Sequence, residues 1–124
     1  MRYPGGIGYG RPGRKIRSDF GNPLISPEQV ESLSACDLND FYTVSSDFDR
    51  TNLCFVLLNS IHKYEAEGKR EYAAKLCFLL ACYLFVPLTP PGSASLALYY
   101  MDKAIALDAK PEYLEWLELI RKGN

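Results

Sequence analysis

Histidine occurs once, at His62, and none of the four cysteines stands in a C-x-x-C pair. The chain therefore lacks the paired ligand spacing of a zinc site, and no metal or cofactor is expected. Neither sign of charge dominates: 14 basic side chains face 15 acidic ones, for a net charge of -1. That balance gives no global pull toward nucleic acid or an anionic membrane. No apolar core follows the opening M-R-Y-P-G-G, so no signal peptide is expected. The longest apolar run, Leu76 to Leu88, has 13 residues, is broken by Pro87 and falls short of a bilayer span. Together these absences predict a protein of the reducing cytoplasm without membrane contact.

What is present is an ordinary globular composition, with a hydrophobic fraction of 48% over 124 residues. That length fits one modest core. Residues 1–25 are an outlier. Gly5, Gly6, Gly8, Gly10, Gly13 and Gly21, with Pro4, Pro12 and Pro23, exclude a regular element there. The division is therefore a basic Gly/Pro-rich arm over 1–25 and a single helical domain over 26–124. The arm holds Arg2, Arg11, Arg14, Lys15 and Arg17 without an acid before residue 18. The acids Glu28, Glu31, Asp37, Asp40, Asp47 and Asp49 follow in a segment, 28–49, without a base. Two motif matches in the arm carry no weight. Gly8 to Gly13 fits G-x-G-x-x-G, but a dinucleotide loop needs a strand before it and a helix after it. Asp19-Phe20-Gly21 spells the kinase magnesium triplet in a chain too short for a kinase.

Helix punctuation is frequent beyond the arm. Ser26 reads as an N-cap with Pro27 at the first helical position, opening a short helix to about Ala35. Asp37 caps a further short turn through Leu38, Phe41 and Tyr42. Ser46, with Asp49 three residues on, starts a long helix from about Asp47 to Glu67 that Gly68 stops. Phe48, Thr51, Phe55, Leu58 and His62 lie at helical spacing on it, and Cys54, Val56, Leu57 and Ile61 widen the expected apolar face. Arg70 to Val86 forms the next helix. Past Lys75 it is apolar on every side, so it must be the central helix or be covered by another subunit. Pro87, Pro90, Pro91 and Gly92 break the chain, and Ser93 or Ser95 caps a helix over Leu96 to Asp108. Pro111 opens the last helix, with Glu112, Glu115 and Glu118 early, Arg121 and Lys122 late, and Gly123 as stop.

On the Leu96–Asp108 helix, Ala97, Met101 and Ala104 fall on one side, with Leu98, Tyr100, Ile105 and Leu107 flanking them. Two alanines let another helix come close. This stretch resembles the second helix of a tetratricopeptide (TPR) repeat, A-x-x-x-[YF]-x-x-A-[LI]-x-L-D-P. Ala97, Ala104, Ile105, Leu107 and Asp108 match; Met101 replaces the aromatic and Ala109 the proline. Gly68, Tyr72, Ala74, Phe78, Ala81 and Pro87 follow the same order one residue out of register, as do Trp116 and Leu119 for the W-x-x-L of a first helix. The resemblance implies an all-α fold of antiparallel helical hairpins and a non-catalytic protein-interaction role.

Tyr99, Tyr113 and Trp116 are the candidate contact residues on the helices, since Tyr and Trp are favoured at interfaces. Arg11 and Arg14 are the candidates in the arm. The partner class is another protein or peptide, or a second copy meeting the apolar helical surface. Two alternatives are a small cytoplasmic immunity or chaperone-type protein that sequesters one partner, and RNA binding through the arm. Five charges are too few to favour nucleic acid. An enzyme is not expected, because the run that must be buried offers no converging polar groups.

Overall fold

The computed structural model describes residues 24–123, so the arm's Arg11 and Arg14 lie outside the described residues. Those described form helices without a strand: α1 (Pro27–Ser32), α2 (Ala35–Val44), α3 (Asp47–Ala66), α4 (Arg70–Tyr83), α5 (Ser93–Asp108) and α6 (Pro111–Lys122). The described residues adopt the expected all-α class.

Local chemistry sets most of the boundaries. The Ser26 hydroxyl accepts the Gln29 N–H at 3.3 Å while the Gln29 side chain accepts the Ser26 N–H at 3.0 Å, closing a capping box. α1 ends at Ser32, earlier than the expected Ala35, because a second box begins at once. The Ser34 hydroxyl accepts the Asp37 N–H at 3.3 Å, and the Asp37 carboxylate accepts the Ser34 N–H at 2.9 Å. Asp37 is thus the third residue of a full helix and not the cap of a short turn. α3 ends as expected at Gly68, whose φ of +75° suits a residue without a side chain. The Gly68 and Lys69 N–H groups reach the Glu65 and Tyr64 carbonyls at 3.0 and 2.9 Å, a Schellman closure.

Two further boundaries depart from expectation. α4 stops at Tyr83, and Leu84–Leu88 forms a wider turn in which Val86 is extended (φ -162°, ψ 126°). Pro87 disfavours the helical conformation for the residue before it and has no N–H to continue the ladder. α5 starts at Ser93, three residues before the expected Leu96, so Ser93 and Ser95 lie inside it. Gly92, at φ +74°, holds the cap position instead.

α4 is the helix that the others surround: α1, α2, α3 and α5 all contact it. Every side chain from Leu76 to Tyr83 is buried. Fully burying one large apolar side chain is worth roughly 1.5–3 kcal/mol, so this run supplies a large share of the driving force. Arg70–Leu88 is long and apolar enough to cross a membrane by length and composition, yet most of it is enclosed by the protein. Polar contacts orient the neighbours. The Tyr83 hydroxyl donates to the Arg50 carbonyl at 2.8 Å, joining the end of α4 to the start of α3. The Arg70 guanidinium donates to the Ala106 carbonyl at 3.2 Å, joining the start of α4 to the end of α5. α4 therefore runs antiparallel to both, which makes α3 and α5 parallel to each other. Ala97, Met101 and Ala104 form the buried side of α5, as their spacing predicts.

The chain enters this assembly at a buried anchor. The Ile25 N–H donates to the Ser60 hydroxyl at 2.9 Å, and that hydroxyl donates on to the Val56 carbonyl at 2.8 Å. The Tyr64 hydroxyl donates to the Ile25 carbonyl. Ile25, assigned to the arm on composition, is thus part of the core.

Candidate surface on α3 and α5

α3 carries two apolar faces. Leu53, Val56, Leu57, Ile61 and Tyr64 point inward and are buried, together with Ser60. Of the expected apolar face, the line Phe48, Thr51, Phe55, Leu58 and His62 lies mainly outward. Phe55 is 62% exposed, Thr51 and His62 are exposed, and Leu58 is half-buried. The flank of the expected face that bears Val56, Leu57 and Ile61 is therefore the one that meets the core. The buried side sets five large apolar side chains against the core, and the Ser60 and Tyr64 hydroxyls on that side hold Ile25.

The outward side of α3 has an unusual composition. No Asp, Glu, Lys or Arg occurs from Thr51 to His62, on any face. A surface helix ordinarily keeps charged residues on its solvent side. Phe48, Phe55 and His62 are spaced by sevens, with Thr51 and Leu58 between them, the spacing at which one helix meets another.

α5 continues this surface. The Lys103 ammonium sits 3.0 Å from the Glu65 carboxylate, so the flank of α5 that bears Lys103 faces the flank of α3 that bears Glu65. Seven residues before Glu65 stands Leu58, and seven before Lys103 stands Leu96. Leu58 is half-buried on α3, and Leu96 stands on the exposed part of α5. Leu96 is 41% exposed, and Tyr99 follows one turn later at 60%. The Tyr99 ring meets the Tyr100 ring edge-on, with centroids 4.9 Å apart. From Ser93 to Met101 α5 carries no charged residue either. The candidate surface comprises the outward side of the uncharged part of α3 and the uncharged first half of α5, with the Glu65–Lys103 pair linking the two helices.

The other candidate contact residues lie elsewhere. Tyr113 is 1% exposed and stacks on Phe78, with centroids 4.6 Å apart. This corrects its assignment as a contact residue: its ring fills the core between α4 and α6. Among the described residues its hydroxyl has no hydrogen-bond partner. Trp116 is half-buried and meets the edge of Phe78 at 6.4 Å. The structure thus joins Tyr113 and Trp116 through Phe78 and leaves Tyr99 with Tyr100. Phe55 was missed as a surface residue because hydrophobicity alone assigned it to the core. The uncharged run around it was the available signal.

The ionisable groups near the core are held in their neutral forms. Burial raises the Cys54 thiol to about 11 and the Cys77 thiol to about 12, and pushes Cys82 up further. Such thiols are protonated at neutral pH and make poor nucleophiles. All four cysteines are free, and Cys36 is the exposed one. Burial also raises the Tyr113 phenol to about 12. Among the described residues, no three His, Cys, Asp or Glu side chains are grouped to hold a metal.

An open cavity of about 660 Å³ lies where α4 begins and α5 ends, between Pro27, Tyr72, Arg70 and Leu107. Its two cations are engaged. Lys69 is 3.4 Å from Glu67, and Arg70 holds the Ala106 carbonyl. Comparison with known protein families, with characterised proteins and with solved structures finds no match to this chain.

Proposed function

We propose that this protein is a non-catalytic protein-interaction module of TPR-like helical build, whose contact surface is the candidate surface on α3 and α5. The observation that carries the reading is Phe55. It is a large aromatic left 62% exposed in the middle of a helical stretch that has no charge. Exposing that much apolar surface forgoes burial that the fold could otherwise use, which makes sense where a partner supplies the cover. Leu96 and Tyr99 on α5 are likewise exposed apolar residues, on the helix that Lys103 ties to Glu65 of α3. The partner segment that fits is an amphipathic helix presenting an uncharged face, since the surface offers side chains at helical spacing.

The TPR-like reading is supported by the Ala97, Ala104, Ile105, Leu107 and Asp108 match. The close approach of α5 to α4 across the buried Ala97 and Ala104 fits it too. The neutral, buried thiols of Cys77 and Cys82 support a role without a nucleophile. Free cysteines suit a reducing, cytoplasmic setting.

Affinity capture tests the reading, with wild type beside Phe55→Asp and Tyr99→Ala, each verified as folded by circular dichroism. The expected result is that one defined set of bound proteins is recovered with wild type and depleted at least tenfold with both variants. Equal recovery with all three chains removes this surface as the contact surface. If the recovered species is this chain itself, light scattering will show a dimer in wild type and a monomer in Phe55→Asp.

A further inference from the structure

We draw no further inference here: the strongest candidate, the open cavity between the start of α4 and the end of α5, rests on a helix N-terminus whose Lys69 and Arg70 are already engaged by Glu67 and the Ala106 carbonyl, and no second feature of the structure points to a ligand there.

Discussion

α4 and the outer side of α3 are both apolar and free of charge in their central parts, yet the first is wrapped and the second is open. From Leu76 to Tyr83 of α4 every direction meets another part of the chain. α3 packs Leu53, Leu57 and Ile61 against α4 and turns Phe55 to solvent. The lesson is that hydrophobicity does two jobs in this molecule. On α4 it drives folding. On α3 it does so on one side only, and the other side is left over. Position explains the difference. α4 is third from last of the helices, and the elements on both sides of it in sequence fold back over it. α3 has α4 on one side, with α1 and α2 covering α4 beside it.

A large effect that sharpens this contrast is expected inside α4. Leu79→Ala removes a fully buried side chain from the centre of the core, and should cost about 2–5 kcal/mol. Urea titration followed by circular dichroism reads it. A loss below about 1 kcal/mol would mean that the surroundings of α4 are looser than the burial indicates.

Next comes the Ile25 anchor on α3. Ser60→Ala removes the acceptor of the Ile25 N–H and leaves that buried donor unpaired, at an expected cost of about 1–3 kcal/mol. The same titration measures it. An unchanged midpoint would show that the Ile25 anchor adds little to the stability of the fold.

A smaller effect, of opposite sign, is expected at the end of the core. Tyr113→Phe deletes a buried hydroxyl that has no partner among the described residues, and should stabilise by up to about 1 kcal/mol. The substitution also bears on pH dependence. The Tyr113 phenol is raised by burial to about 12 in the folded protein, against about 10 for an unfolded tyrosine. A raised acid of this kind contributes stability that is complete below about pH 10 and lost as pH climbs toward 12. Wild type should therefore lose melting temperature above about pH 10, and Tyr113→Phe should lose less of it. Parallel slopes for the two chains would contradict this. Cys77, raised from 9.0 to about 12, acts in the same direction and begins at lower pH.

Much of the fold was legible in the amino-acid pattern. Ser26, Ser46, Gly68, Pro111 and Gly123 bound helices as their chemistry predicts, and the all-round apolar run of α4 marks it as central. The Ala97–Met101–Ala104 side of α5 was legible because small residues at helical spacing have one packing use. The two faces of α3 were not. Both have apolar residues at helical spacing, and periodicity cannot rank two such stripes. The inward one also carries a pair of hydroxyls, Ser60 and Tyr64, bonded to Ile25 from 35 and 39 positions away. A contact that distant in sequence leaves no local trace. Tyr113 misled for a related reason, since a tyrosine on a terminal helix can serve an interface or a core. Its stacking on Phe78 is a tertiary fact.

The smallest expected change in stability bears most directly on the central claim that the outward side of α3 is free of folding duty. Phe55→Asp and Leu57→Asp place the same charge two residues apart on one helix, one outward and one inward. Thermal melts of the two variants should diverge. Phe55→Asp is expected to stay within about 0.5 kcal/mol of wild type, while Leu57→Asp loses its cooperative transition. Equal destabilisation of both would show that Phe55 belongs to the core and that this face is not a contact surface.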